Sequence, residues 1–417
     1  MVGYALAAPF SISLAQIALG IAFLGLVREW WRGRAVGREE AVADRPAWVD
    51  RLRRLPFWPA YACLTLAGIL SLPFAIDQAR AWGEMTKFLI ILVFLVGYAA
   101  PLTRGQRRVV LGTLIGSGAV AALITVTDQF TRMEAKNRAQ GFFSLPLTFG
   151  ECQMLLLVVA VAWWAFGGAT PRGRRRLLAA IGCLSLGVAA SFTRGVFIGL
   201  GIGLVTMFRS RWRTALAAAA ATVLLMGAGV MMTHHLASRA AVLSLAGDQP
   251  DGLCNIRLRI WSVGLDILAA APVFGVGMNN VKPHYQARAT PVEHAQSWVY
   301  GHLHNSFLQY LAMTGLCGYL AFVWFCLEVG CFARRLPKRF ADSEAAGWAK
   351  AALPVWVAFL GSGLTEYAYG DEEVAMLAFF LLGFLAAPAL EEGEAVEVVV
   401  DRSGDRDRQA GALVPEG

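Results

Sequence analysis

The chain has 417 residues, 57% of them hydrophobic and only 16% charged, with a mean hydropathy of +0.53 and a formal net charge of +8. A soluble domain of this size needs more charge to cover its surface, and the apolar residues come in long runs, so lipid is the expected solvent. The basic residues are spread over several loops rather than gathered on one surface, which excludes a nucleic-acid-binding domain and any nucleic-acid partner.

A hydrocarbon core of about 30 Å takes roughly 20 apolar helical residues per crossing. Eleven runs meet or approach that length: 5–27, 57–76, 86–103, 109–127, 147–167, 177–192, 195–208, 214–233, 304–333, 349–365 and 373–390. Unpaired backbone groups are costly in lipid, so each is expected to be a helix. In the first run, Ala7-Ala8-Pro9-Phe10 reads as a break between two segments, as though a twelfth helix were curtailed here. No Lys or Arg precedes Arg28, which argues against a cleaved signal peptide with a basic leading region.

Charge alternates between the runs. The 28–56 loop carries eight arginines, and then, skipping one loop each time, come Arg104/Arg107/Arg108, Arg172/Arg174/Arg175/Arg176, Arg209/Arg211/Arg213 and Arg334/Arg335/Lys338/Arg339. By the positive-inside rule these clusters are cytoplasmic, which puts the N-terminus outside and the C-terminus inside. Six of the seven cysteines fall in or beside membrane helices, where a thiol packs as a small apolar group, and Cys254 has no evident partner. No disulfide framework is expected. The expected organisation is an N-terminal transmembrane bundle over 1–233, a periplasmic-type loop domain over 234–303, C-terminal transmembrane helices over 304–390 and a polar, disordered tail over 391–417.

The 234–303 loop is the one stretch large enough to form a domain. Asn255–Ala270 reads as an amphipathic helix with Ile256, Ile260, Leu265 and Leu268 on its apolar side. Pro272 ends it, and Phe274-Gly275-Val276-Gly277 follows. Without a preceding strand, this Gly-x-Gly reads as a turn ahead of a phosphate cradle. The remainder to His304 holds four of the six histidines: His284, His294, His302 and His304.

Three features lie at the outer face. Ser191-Phe192-Thr193-Arg194-Gly195 separates two apolar runs, so Arg194 sits at the membrane boundary. Its planar guanidinium suits bidentate phosphate binding; alternatively it snorkels and anchors a helix end. Arg257 and Trp261 are four residues apart and share a helix face, while Arg259 is rotated roughly 200° away from Arg257. This pattern fits either a cleft or an interfacial helix touching lipid headgroups. His302-Leu303-His304-Asn305 leads into an apolar helix, where a neutral imidazole can take a proton from a sugar hydroxyl. Asn305 can cap that helix or orient the histidine, and plain capping beside a surface histidine is the simpler account. Two histidines two residues apart do not share a helix face, and no outer carboxylate pair joins them, so no metal site and no cofactor are expected.

These segments together resemble the O-antigen ligase and polymerase superfamily over about residues 130 to 385. Asn137-Arg138-Ala139-Gln140-Gly141-Phe142 with Pro146 resembles the family's Arg…Gly-Phe segment. Ser191-Phe192-Thr193-Arg194-Gly195 resembles its Ser-x-Arg-Gly turn. Arg257-x-x-x-Trp261 followed by Pro272-x-x-Gly275-x-Gly277 resembles its loop motif, and His304-Asn305-x-x-Leu308 with Gly315 and Gly318 resembles its His-Asn helix.

The resemblance implies an all-α polytopic fold of the GT-C kind with about 11–12 transmembrane helices and one large periplasmic loop, in a bacterial inner membrane. It implies transfer of a glycan from undecaprenyl diphosphate to lipid A–core oligosaccharide, with membrane lipids around both. Carried onto matching positions, His304 is the general base, Arg194 and Arg257 bind diphosphate, and Arg138, Arg259, Trp261, His302, Asn305 and Glu366 complete the substrate site. His302 competes with His304 for the role of base. The alternatives are an O-antigen polymerase, a protein O-oligosaccharyltransferase or, from a different class, a transporter or flippase, for which Glu151 is the one intramembrane carboxylate in view.

Overall fold

A computed structural model describes residues 1–35, 53, 55–132, 138–236, 253–291, 300–340 and 343–387. The arginines between 36 and 52, Asn137, His294, the tail from 391 and the side chains of Cys254 and Ile256 lie outside the described residues.

Among the described residues the regular structure is helical, with no strand. In chain order the α-helices are α1 Val2–Ala7, α2 Ile12–Ala35, α3 Trp58–Ser71, α4 Gln78–Met85, α5 Ile90–Ala99, α6 Arg104–Arg132, α7 Pro146–Phe166, α8 Pro171–Ser191, α9 Arg194–Met207 and α10 Trp212–Leu236. Then come α11 Leu253–Ala270, α12 Val281–Gln286, α13 Ser306–Arg335, α14 Ser343–Ala349, α15 Ala352–Ser362 and α16 Glu372–Ala386. Each apolar run of the sequence falls on helical structure, the 5–27 run being divided between α1 and α2. Among the described residues five spans are long and apolar enough to cross a bilayer: Gln78–Ala99, Arg104–Gln129, Pro146–Phe166, Trp212–Met231 and Ser306–Arg339. Ile12–Arg28, Trp58–Phe74 and Arg194–Met207 are shorter apolar helices. The chain is an all-α, multi-pass membrane protein.

Local chemistry sets the helix ends. Asp77, Thr170, Asn305 and Asp371 each accept a backbone N–H two or three residues into the helix they precede. The break after α1 falls at Ala8-Pro9-Phe10, where Pro9 cannot continue the backbone ladder. Packing is close at several glycines. A Cβ on Gly383 of α16 would lie 2.1 Å from the Phe94 carbonyl oxygen of α5, and one on Gly97 would lie 2.8 Å from the Phe380 oxygen. On α9, Gly195, Gly199 and Gly203 repeat every four residues and face α15, where a Cβ on Gly199 would meet the Ala358 oxygen at 2.5 Å. Small residues at this spacing let helix backbones approach in a membrane. α7 is enclosed by its neighbours, and its Glu151 has no exposed surface.

Two expectations are corrected. The 304–333 run is not one straight helix: α13 breaks at Gly315 (φ 64°, ψ −166°). Into the break fits the Pro272–Gly277 loop. Val276 and Gly277 donate to the Ala312 and Met313 oxygens (3.1 and 2.9 Å), and Leu316 and Cys317 donate to Pro272 and Val273 (2.9 and 3.2 Å). Gly275 and Gly315 lie at the crossing, where a Cβ on either would come within 2.4 Å of the opposite backbone. The Gly-x-Gly is therefore a backbone clasp, with the Val276 and Gly277 amides committed to α13 and that of Gly275 to the Ala271 oxygen. The apolar face of α11 is also rotated from its expected position. Ile260, Val263 and Ile267 are buried, whereas Leu265 is 55% exposed, because the face toward α13 is chosen by contact with Leu303 and Leu308.

Candidate active site

The site forms where the end of α8, the starts of α9 and α13, the face of α11 and the α15–α16 connection meet. α8 closes on Phe192, held left-handed at φ 42°, and the chain turns through Thr193 into α9. Arg138 clamps that turn, with Nε donating to the Ser191 oxygen (3.0 Å) and Nη2 to Thr193 Oγ1 (2.6 Å). Arg194, the first residue of α9, is exposed. Gly195 next to it abuts the Ser362–Glu366 turn, so closely that a Cβ would lie 2.6 Å from Thr365 Oγ1 and 3.3 Å from Glu366 Cγ.

That turn is tied from two more sides. Ser306 donates its amide to the Gly363 oxygen (2.7 Å) and its hydroxyl to the Glu366 oxygen (3.2 Å), and Asn305 Nδ2 donates to Leu364 (2.9 Å) while its Oδ1 caps α13 through Leu308 N. From α11, Arg257 spreads its fork: Nη1 to the Thr365 oxygen at 2.7 Å and Nη2 to Glu366 Oε1 at 2.5 Å. The second carboxylate oxygen, Oε2, lies 3.0 Å from His304 Nδ1. Glu366 is only 6% exposed and therefore bridges the two cationic-type side chains with both oxygens.

Because a carboxylate accepts, the neutral form of the His304 imidazole places its proton on Nδ1 toward Glu366 and leaves the lone pair at Nε2. Its backbone sits at φ 47°, a region that costs a non-glycine residue energy and that clusters at functional sites. Leu303 before it is fully buried and gripped at both ends, its amide donating to Gln309 Oε1 (2.8 Å) and its oxygen accepting from Trp261 Nε1 (3.0 Å). Trp261 thus anchors the segment that delivers His304.

His302 packs edge-on against His304 with ring centroids 4.2 Å apart, and lies 6.0 Å from the Tyr367 ring. Burial, then the neighbouring His304, lower its pKa to about 4, with Glu366 opposing and Lys87 adding to the fall. Burial works against ionisation of Glu366, but the His304 hydrogen bond and the charges of Arg257 and His304 outweigh it and hold the carboxyl below its ordinary value. The Arg138 guanidinium is lowered first by partial burial, is supported by Glu366, and is opposed by Arg194 and Arg257. Three guanidinium groups therefore share the field of one carboxylate, an excess of positive charge that suits an anion.

Of the residues singled out in the sequence, Arg257, Glu366 and His304 touch in series, with Arg138, Arg194, Trp261, His302 and Asn305 adjoining them. Arg259 is not brought in: from the other side of α11 its Nη2 donates to the Arg288 oxygen at 3.1 Å. Sequence reasoning missed Thr365, Ser306, Tyr367 and Lys87. The Thr-Glu-Tyr run before α16 is the one signal that pointed to this turn. Among the described residues no group of three or more His, Cys, Asp or Glu is arranged to hold a metal ion.

A multi-pass helical membrane protein with a cluster of arginines around a carboxylate-held imidazole is the class this fold and site define. Residues 179–323 match the family model described as O-antigen ligase, which supports placing the chain in the O-antigen ligase superfamily. The matched stretch contains Arg194, Arg257, Trp261, His302, His304 and Asn305. No curated protein matches the chain. The family implies in general a glycosyltransferase-like ligase or polymerase activity on lipid-linked glycans.

Proposed function

We propose that the protein is an O-antigen ligase of the bacterial inner membrane, transferring a glycan from undecaprenyl diphosphate to lipid A–core oligosaccharide at the periplasmic face. The observation that carries this reading is Glu366, whose two oxygens hold Arg257 at 2.5 Å and His304 at 3.0 Å. A phosphate-binding group and a proton acceptor are thereby fixed on either side of one carboxylate.

In this reading the acceptor hydroxyl attacks the anomeric carbon, and its proton passes to His304 Nε2. The bond from that carbon to the diphosphate oxygen breaks, and its electron pair leaves with the diphosphate. Arg194, Arg257 and Arg138 stabilise the charge gathering on the leaving group, a role for which preorganised cations need no divalent ion. Glu366 is a positioning residue: it sets the tautomer and angle of His304 and favours the imidazolium that forms, a contribution of about 10²–10⁴-fold for the base as a whole. One displacement inverts the anomeric centre. Asn305 and Trp261 hold the segment that carries the base.

The test uses purified protein, an undecaprenyl-diphosphate-linked glycan and lipid A–core. Wild type forms glycosylated lipid A–core, undiminished by EDTA, and Arg194→Ala, Arg257→Ala and His304→Ala do not. Chain growth from donor alone, without the lipid A–core product, would make the protein a polymerase. Activity abolished by EDTA and restored only by a divalent cation would overturn the metal-free mechanism.

A further inference from the structure

A second feature lies beside the site, on the side of Glu366 away from the arginines. Between the first half of α2, the Thr86–Leu89 turn with α5, and the start of α16 runs a half-open cavity of about 360 Å³. Its walls are Leu19, Phe23, Ile90, Val93, Val96 and Met376. Its polar groups are few, chiefly Gln16, Thr86, Lys87 and Glu372. A volume in the range of about 300–1,000 Å³, mostly apolar with a few convergent polar groups, is the ordinary form of a ligand site.

The mouth is joined to the candidate active site by direct contacts. Lys87 Nζ pairs with Glu84 at 2.7 Å, donates to the Gly370 oxygen at 3.0 Å and stands 5.7 Å from the Tyr367 ring centroid. Tyr367 neighbours His302, and His302 packs on His304. The order of groups is therefore Arg138 and Arg194, Arg257, Glu366, His304, His302, Tyr367, Lys87, groove. Arg138 feels Arg194, Arg257 and Glu366, whereas His302 feels Lys87, which is consistent with that order.

We propose that this groove takes a hydrocarbon chain of the acceptor glycolipid and so sets its sugar headgroup on the His302 side of His304. The inference rests on the ligase reading. It commits to the acceptor because three cations lie beyond Glu366, where a donor's diphosphate and the chain attached to it belong. The groove mouth instead offers a lysine already neutralised by Glu84, with Gln16 and Thr86, which suits hydroxyl-rich sugar better than diphosphate.

The experiment fills the groove with Val93→Trp and, as a milder change, Gly20→Leu, and measures transfer with donor and acceptor varied separately. The expected result is a rise of about tenfold in acceptor KM from lost chain contacts, with donor KM and kcat within about twofold. With a deacylated lipid A–core the variants and wild type become equal. A raised donor KM with unchanged acceptor KM, or no change in either, overturns the inference and leaves the ligase reading standing. Absence of lipid A–core product from wild type removes both. Should Val93→Trp fail to fold, Gly20→Leu and cross-linking of wild type by an acceptor with a photoreactive acyl chain decide: labelling outside α2, the Thr86–Leu89 turn, α5 and α16 counts against the groove.

Discussion

His304 Nδ1 and Glu366 Oε2 lie 3.0 Å apart, joining residues 62 positions apart in the chain across the junction of α13 and the α15–α16 turn. The same carboxylate is ion-paired with Arg257, so the imidazole is oriented by a group that is itself fixed. This arrangement makes Glu366 separable from the base in an assay.

Glu366→Gln keeps the shape of the side chain and removes its charge. We expect kcat for transfer to fall by about 10²-fold with donor KM nearly unchanged, because the tautomer is no longer enforced and the imidazolium loses its partner. Glu366→Asp should recover part of the loss. Equal losses in the Gln and Asp variants, matched by a lowered melting temperature in both, would reduce Glu366 to a structural role.

Arg257 uses two nitrogens on two acceptors, which a lysine cannot reproduce. Arg257→Ala is expected to lower kcat/KM by about 10²–10³-fold, the usual scale for one preorganised charge-stabilising group. Arg257→Lys should fall between alanine and wild type. Steady-state kinetics with varied donor check this, and an alanine variant within about threefold of wild type contradicts it.

Much of the fold was legible because its signals are local. Long apolar runs need only composition and spacing, and Arg257 with Trp261 needs only helical periodicity. What stayed hidden depends on contacts between distant segments. Gly275 and Gly315 read as a turn residue and a helix residue until the two backbones are seen to cross. Leu265 looked apolar and buried, but which face of α11 turns inward is decided by Leu303 and Leu308. Lys87 carries no motif and adjoins the site through the Tyr367 ring.

The clasp gives a stability prediction. Gly275→Ala and Gly315→Ala each place a Cβ within 2.4 Å of opposing backbone at positive φ, where neither chain can yield without breaking the four hydrogen bonds. Strain of this kind costs about 1–3 kcal/mol before the lost packing is added. Both variants should melt well below wild type in detergent, whereas Gly301→Ala, whose Cβ meets open space, should not. An unchanged melting temperature for both clasp variants would dispose of this account.

Stability should also depend on pH through His302. Burial, then His304, depress its folded pKa from the ordinary 6.5 to about 4. The unfolded chain therefore binds the proton more readily. The stabilisation is complete above about pH 6.5 and is lost as pH falls from there through about 4. Glu366, also depressed, acts lower: its share is present above the ordinary carboxylate pKa of about 4.3 and disappears as pH falls below it. His302→Phe should flatten the melting-temperature profile between pH 6.5 and 5 while leaving the steeper decline below it. A profile identical to wild type across the upper window would contradict the assignment.

The most direct test of the central claim separates binding from chemistry at His304. Donor binding by His304→Ala is measured alongside single-turnover transfer to lipid A–core, both at saturating acceptor. If His304 is the base, the variant binds undecaprenyl-diphosphate-linked glycan as wild type does, and transfer falls by about 10²–10⁴-fold. Transfer at the wild-type rate, or a loss explained wholly by lost donor binding, would show that the proton goes elsewhere.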